Sequence, residues 1–229
     1  MLSVVIPTQN SEEGLARTLA SLVPAAAEGI VREVVVSDAG SSDGTRIVAD
    51  AAGCSLVDNS GGWLTRVTAG VHVARRASWF LILAPNVHLE RDWYREAASF
   101  VERSERAGRA DANVATFRIA YDEFGWRPRL AERMVGFSCA LFGRPLREQG
   151  LIISRRHFEG LSARIADRFA GHGDLVGRLS RAAIHMLRAD AVVLPPTRGG
   201  RAAPSYGRLL RITSSGLGFP TPTGDWTEE

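Results

Sequence analysis

Short apolar runs alternate with amphipathic stretches along the first half of the chain. The apolar runs predict buried strands, and leucines at helical spacing (Leu15, Leu19 and Leu22) predict a helix that packs one face on a sheet. The predicted strands cover residues 3–6, 31–37, 54–57 and 79–83, and two further predicted helices cover residues 45–52 and 61–77. Strands that alternate with helices in this way indicate an α/β protein with a doubly wound, mostly parallel sheet and flanking helices.

Single residues mark the expected ends of the first strand and the first helix. Pro7 is expected to stop the strand because proline has no backbone N–H to give to a sheet. Asn10 is a typical helix N-cap, and Glu13, three residues later, completes a capping-box pattern. Pro24 is expected to end this helix.

The second half of the chain has a less regular pattern. It predicts helices over residues 91–107, 126–142 and 174–187, the middle one broken and rich in arginine. It predicts strands over residues 114–119, 151–153 and 191–194. With no linker between two cores, residues 1–195 are expected to form a single domain, followed by a partly loose extension over residues 196–229.

Composition narrows the class of protein. The 229 residues are 45% hydrophobic and 23% charged, which is typical of a soluble globular domain. The net charge is only +3, although every basic side chain is arginine, so a nucleic-acid partner is not expected. Two distant cysteines and the lack of a transmembrane segment or signal-like apolar run predict a cytoplasmic protein.

An acidic, glycine-rich turn follows the second predicted strand. In open α/β sheets ligands bind beyond the carboxyl ends of the strands, where Asp38 and Gly40 are expected to lie. A carboxylate beside glycines suits the hydroxyls and ring nitrogens of a nucleotide. The alternative is a polar turn whose side chains only cap the next helix.

Two segments of the chain resemble family 2 glycosyltransferases of the GT-A fold. They are Ile6-Pro7-Thr8-Gln9-Asn10-Ser11-Glu12-Glu13-Gly14-Leu15 and Val36-Ser37-Asp38-Ala39-Gly40-Ser41-Ser42-Asp43-Gly44-Thr45. Thr68-Ala69-Gly70 and Glu148-Gln149-Gly150-Leu151 extend the resemblance, the latter toward a bacterial subgroup. The resemblance implies transfer of a sugar from a nucleotide diphosphate sugar to an unknown acceptor. It also implies a nucleotide-binding half over about residues 1–90 and an acceptor half over about residues 91–195.

The resemblance also implies roles for individual residues. Asp38 would bind the uracil or ribose edge of the nucleotide, in a segment with Gly40 that forms the floor of the site, and Arg66 on the third helix would meet a phosphate. The loop facing the nucleotide would contain Pro7, Thr8, Asn10 and Glu12. Simpler alternatives are a helix cap for Asn10, a charge that complements the helix dipole for Glu12, and a solvated side chain for Arg66.

The expected metal site departs from the family pattern. Family members carry an acid-x-acid signature after the fourth strand, which holds Mn²⁺ or Mg²⁺ against the diphosphate. Here Ala84 and Asn86 occupy the two acidic positions, followed by His88. Because a hard divalent cation prefers carboxylate oxygens, Asn86 is at most a weak ligand, and the metal is expected to be weakly bound or absent.

The segment expected to contain the catalytic base also departs from the family pattern. Gly171 and His172 stand where an acidic pair is expected, and Asp174 follows two residues late. Either His172 or Asp174 could take the proton of the acceptor hydroxyl. The alternative for Asp174 is a helix cap.

These departures leave more than one function open. The first is a glycosyltransferase that works with a weak metal site or none, with Asn86 or arginine side chains replacing the charge of the cation. The alternative is a catalytically impaired protein that binds a nucleotide sugar or serves as an interaction partner. Peripheral membrane contact is a further expectation, although a packed helix with a solvated basic face explains the same arginines: Arg198, Arg201, Arg208 and Arg211.

Overall fold

The computed structural model describes residues 1–122, 126–165 and 171–195, which form one mixed sheet with helices packed on both faces. The strands are β1 (Leu2–Thr8), β2 (Val31–Asp38), β3 (Ser55–Asp58), β4 (Trp79–Ile82), β5 (Val87–Leu89), β6 (Val114–Tyr121), β7 (Leu151–Ser154) and β8 (Ile184–Val193). The helices are α1 (Glu12–Ala27), α2 (Thr45–Ala51), α3 (Trp63–Val73), α4 (Trp93–Arg106), α5 (Trp126–Phe142), α6 (Arg155–Ser162) and α7 (His172–Val176). The predicted extension and its arginines lie outside the described residues.

The strands lie in the order β3-β2-β1-β4-β7-β6-β8-β5. The first four are mutually parallel, so their carboxyl ends form one edge of the sheet. β7 is antiparallel to both β4 and β6, and β5 is antiparallel to β8. The α/β fold class with a doubly wound, mostly parallel sheet is therefore confirmed.

Alternate residues of the central strand β1 enter two separate apolar cores. Leu2, Val4 and Ile6 pack in the core that contains α1 and α4. Val5 packs in the core that contains α3, α6 and α7. This period of two is what a strand buried on both faces requires.

The predicted ends around the first loop were wrong. β1 continues through Pro7 to Thr8. Its pairing with β4 stops at Val5, so no bond to β4 requires an N–H at position 7. The N-cap of α1 is Ser11 rather than Asn10. Asn10 has a φ of 47°, in the left-handed region, and its side chain bonds to the loop after β2 instead of to its own helix.

Pro24 does not end α1, which continues to Ala27. Proline at this position deprives only the carbonyl of Ala20 of its helical partner, and Ala20 is exposed, so water can replace the lost bond. The arginine-rich helix α5 is continuous rather than broken. Neither α5 nor any other helix of the described residues is long and apolar enough to cross a membrane.

The helix predicted over residues 174–187 is absent. The short helix α7 ends at Val176, and the strand β8 begins at Ile184. Leu187, Ala189, Ala191 and Val193 are buried at every second position, so the segment has strand periodicity. The short strand β5 and the two-turn helix α6 were not predicted.

Two helical glycines provide a test of the packing of α3 on β1. A Cβ on Gly70 would lie 2.5 Å from Cγ1 of Val5, whereas a Cβ on Gly160 in α6 would meet nothing within 4 Å. We expect Gly70→Ala to lower the free energy of unfolding by about 1–3 kcal/mol, because the stiff valine must move. Gly160→Ala should raise it by roughly 0.5–1 kcal/mol. Urea unfolding measures both, and equal effects of the two substitutions would contradict this packing.

Candidate functional site

The two loops that leave β1 and β2 lie side by side at the carboxyl edge of the sheet. The register pairs Thr8 with Asp38, the last residues of the two strands. The carbonyl of Thr8 also accepts a hydrogen bond from the N–H of Ala39, at 3.0 Å. The loop over residues 9–11 is thus brought against the loop over residues 39–44.

The carboxylate of Asp38 is fully buried between these loops. Its Oδ1 accepts hydrogen bonds from the hydroxyls of Thr8 (2.9 Å) and Ser41 (2.5 Å). Its Oδ2 accepts bonds from the backbone N–H groups of Gly40 (3.1 Å) and Ser41 (2.8 Å). Burial raises the pKa of Asp38, but the bonds from Ser41, Thr8 and Gly40 outweigh burial and hold the pKa below its usual range.

Further hydrogen bonds join the two loops along their length. The N–H of Asn10 donates to the hydroxyl of Ser41 (2.8 Å), and the N–H of Ser42 donates to Oδ1 of Asn10 (2.9 Å). The N–H of Ser11 donates to the hydroxyl of Thr45 (2.7 Å). The N–H of Glu12 donates to the carboxylate of Asp43 (3.2 Å), and the N–H of Gly44 donates to the carboxylate of Glu12 (2.9 Å). Gly40 has a φ of 82°, which a residue with a side chain rarely adopts. The side chains of Asn10 and Glu12 are therefore already bonded to protein in this structure.

Arg66 approaches this region from α3. Its Nη1 donates a hydrogen bond of 2.8 Å to the carbonyl of Thr8, and its buried Nε has no hydrogen-bond partner among the described residues. Burial and the nearby positive charge of Arg147 lower the pKa of Arg66, and Asp38 acts in the opposite direction. The side chain lies at the carboxyl edge, held by the backbone of β1.

His172 begins α7 and contacts the first turn of α3. Its ring meets the indole of Trp63 edge to face, with centroids 5.0 Å apart. Burial and the positive charge of Arg147 lower the pKa of His172 to about 3. The imidazole is therefore uncharged at neutral pH and a weak base.

Asp174 is exposed and caps the helix that it belongs to. Its Oδ2 accepts a 2.7 Å hydrogen bond from the N–H of Gly171, the residue before α7. The alternative interpretation of Asp174 as a helix cap thus has a geometric basis. A role of Asp174 or His172 in proton transfer stays a prediction.

The loop after β4 does not fit a hard divalent cation. Ala84 is buried and has no ligating side-chain atom, and Asn86 could offer only a neutral amide. Asn86 also packs close to Gly14 of α1, and its backbone carbonyl accepts a 2.9 Å hydrogen bond from the N–H of Leu194. Among the residues that the structure describes, no group of three or more His, Cys, Asp or Glu side chains could hold a metal ion.

The structure brings most of the predicted site residues to one edge. Thr8, Asn10, Glu12, Asp38 and Gly40 join in one network of hydrogen bonds. Arg66 attaches to the network through the carbonyl of Thr8, while Pro7 is buried within β1 and Asn86 backs onto α1. Ligand binding by any of them stays a prediction.

Sequence reasoning missed Trp63 and Arg147. Arg147 lies in a single 3-10 turn, Arg147–Gln149, which overlaps the Glu148–Leu151 segment that resembles a bacterial subgroup. The only available signal was therefore the position of Arg147 next to a matched motif. No pattern in the sequence pointed to Trp63.

The family model described as "Glycosyl transferase family 2" matches residues 3–147, which is more than half of the chain. The chain belongs to glycosyl transferase family 2. This family 2 chain contains both loops, Arg66 and Arg147 within the matched residues. No curated protein matches its sequence significantly.

Solved structures share the fold of this family 2 chain. Glucosyl-3-phosphoglycerate synthase from Mycobacterium tuberculosis, in complex with Mn²⁺, UDP and glucosyl-3-phosphoglycerate, has a TM-score of 0.56 and 21% identity. The match covers 100% of this chain and 84% of that chain. The same enzyme with Mn²⁺, UDP and phosphoglyceric acid has a TM-score of 0.57 and 20% identity, over 97% of this chain and 80% of that one. The fold is therefore of the GT-A type.

Asp38 should make the stability of the protein depend on acid pH. Because the pKa of Asp38 is lower in the folded state, its contribution is present above the unfolded pKa of about 3.9 and is lost as pH falls through the folded value. We expect Asp38→Asn to lower the free energy of unfolding by about 1–3 kcal/mol at pH 7, with a smaller difference from wild type at pH 3. Urea unfolding across this range measures it.

The matched control for Asp38 is Asp50→Asn on the exposed face of α2, which should change stability by less than about 0.5 kcal/mol. A difference between wild type and Asp38→Asn that stays constant from pH 7 to pH 3 would contradict the role of the ionised carboxylate.

His172 predicts a second pH dependence. Its folded pKa of about 3 lies below the unfolded value of about 6.5, so protons bind preferentially to the unfolded chain as pH falls between the two values. Wild type should therefore lose stability relative to His172→Gln as pH falls from 7 to 5, by at most about 1.4 kcal/mol per pH unit. An NMR titration in which the His172 ring protonates near pH 6.5 would rule this out.

Proposed function

We propose that this chain transfers a sugar from a nucleoside diphosphate sugar to an acceptor hydroxyl. Its family and the network of hydrogen bonds between the 9–11 and 39–44 loops support this proposal. The network is the observation that carries the proposal, because it orders two loops at the edge where parallel sheets bind nucleotides. Loops that are ordered before binding lose little conformational entropy when a ligand arrives.

Asp38 has a positioning role in this proposal. A carboxylate offers about four lone-pair sites, and four protein donors already occupy those of Asp38. A nucleotide that bonded directly to Asp38 would have to displace one of these donors. The contacts that we expect with the base or ribose therefore come from the ordered loops that Asp38 positions.

Asp174 is the stronger candidate for the catalytic base. Its carboxylate is exposed at the start of α7, two residues from His172. The imidazole of His172, with a pKa of about 3, takes up a proton reluctantly and suits a packing role beside Trp63. In a transfer step Asp174 would accept the acceptor's hydroxyl proton as the acceptor oxygen attacks the sugar.

A panel of donors tests the proposed transfer. The purified chain should release UDP or GDP from at least one UDP-sugar or GDP-sugar, even slowly and with water as the acceptor. Asp174→Asn should lower that rate roughly a hundredfold or more, whereas His172→Gln should lower it less. Chromatographic measurement of the released nucleotide provides the readout. Absence of turnover across the panel, both with Mn²⁺ and with a chelator, would defeat the transferase assignment.

A nucleotide-sugar-binding protein without turnover is the second candidate. The capping bond of Asp174 and the lack of carboxylates at Ala84 and Asn86 favour it, since both acidic centres differ from the family pattern. Calorimetry separates the two candidates. Binding of a nucleotide sugar with no release of nucleotide supports the second one, and no binding of any nucleotide excludes both.

A further inference from the structure

Two arginines approach, from different elements, the edge of the sheet where the family pattern would put a metal ion. Arg66 reaches the carboxyl end of β1 from α3. Arg147 reaches the same edge from the other direction, because β7 follows the 147–149 turn and is antiparallel to β4. The residue that connects the turn to β7, Gly150, lies against Leu83 just beyond the end of β4.

The spacing of the strands allows both guanidinium groups to reach one ligand. β4 separates β1 from β7, so the turn starts two strand spacings, or about 10 Å, from the end of β1. Arginine side chains extend far enough to close this gap from both sides. The positive charge of Arg147 lowers the pKa of Arg66 and the pKa of His172.

Neither arginine has an acidic partner in the described part of the chain. Arg46, at the same edge, forms ion pairs with Asp58 and, at 3.8 Å, with Asp38. By contrast, no carboxylate of the described residues lies within 4.0 Å of a nitrogen of Arg66 or Arg147. Asp38 offsets part of the positive charge of Arg66 from a longer distance. Two like charges that share no ion-paired carboxylate still repel each other, and a bound anion reduces that repulsion.

Unused hydrogen-bond donors point to the same ligand. Nε of Arg66 and Nε1 of Trp63 are buried N–H groups that find no acceptor within residues 1–122, 126–165 and 171–195. The two residues are three positions apart in the first turns of α3 and therefore share one face of that helix. A buried donor that finds no acceptor is unfavourable. Both N–H groups are closed off from the surface in this structure, so a ligand oxygen would reach them only after neighbouring side chains move.

We propose that Arg66 and Arg147 bind the diphosphate of the nucleotide sugar and take the place of the divalent cation of the family pattern. This proposal rests on the proposed function and specifies how that site binds the nucleotide sugar. Guanidinium groups bind phosphate oxygens through planar pairs of N–H donors. The alternative, a metal ion held by the single neutral carbonyl of Asn86, would bind the diphosphate less well.

The arginine pair also serves the chemistry of transfer. The bond between the anomeric carbon of the sugar and the diphosphate oxygen breaks, and its electron pair stays on that oxygen. The acceptor oxygen forms the new bond to the anomeric carbon, and its proton goes to the base. Fixed positive charges beside the departing diphosphate stabilise the negative charge that develops there.

Binding measurements in the presence of EDTA test the arginine pair. Calorimetry would compare UDP, GDP and uridine on the whole chain, and repeat each titration with MnCl₂. We expect one of the diphosphates to bind in EDTA and Mn²⁺ to add little. Arg147→Gln should weaken that binding roughly tenfold or more without changing the affinity for uridine, because only the diphosphate loses a charge-assisted contact.

Arg147 is exposed, so its substitution should not disturb folding. Arg66→Gln is the second variant, with its melting temperature measured beside it because Arg66 also bonds to Thr8. Arg103→Gln on α4, exposed and on the face of the sheet opposite α3, controls for the loss of one positive charge and should bind as wild type does.

Three results would count against the proposal in distinguishable ways. Diphosphate binding that requires Mn²⁺ overturns the arginine pair and leaves the proposed transferase intact. Binding in EDTA that neither Arg147→Gln nor Arg66→Gln weakens also overturns the pair. No nucleotide binding in either buffer defeats the proposed function itself.

Discussion

Burying the carboxylate of Asp38 at the end of β2 removes it from water, which is strongly unfavourable unless donors replace the lost hydration. The replacing donors come from Thr8 on β1 and from the backbone that follows Asp38. This requirement fixes the path of the 39–44 loop and places it against the 9–11 loop. The carbonyl of Thr8, at the end of β1, accepts the hydrogen bond from Nη1 of Arg66 at the same edge.

The charged side chains at this edge of the sheet differ in whether they have a partner of opposite charge. Asp38 has four donors, and Arg46 lies between two carboxylates. Arg66 and Arg147 have no acidic partner among the described residues, while the carboxylates of Glu12 and Asp43 accept backbone N–H bonds in the adjoining loops. In the proposed site these two arginines would supply the positive charge that holds a diphosphate in place of a metal.

The sequence predicted the parallel half of the sheet because β1, β2 and β4 are continuous apolar runs between amphipathic helices. It failed at β8, whose beginning, Ile184 to Leu187, was assigned to a helix although burial at Leu187, Ala189 and Ala191 follows a period of two. It predicted roles for Asn10 and Glu12 in the site but not their hydrogen-bond partners, because bonds between loops some thirty residues apart leave no periodic signal. Arg147 escaped notice because only the antiparallel placement of β7 brings it to this edge.

A crystal structure of the chain grown with UDP and without divalent cations is the sharpest test of the arginine pair. We expect the nucleotide to lie beside the 9–11 and 39–44 loops, with its diphosphate between the guanidinium groups of Arg66 and Arg147. A diphosphate bound away from both arginines would overturn the arginine pair, and so would a diphosphate that binds only when Mn²⁺ is added and links it to Asn86.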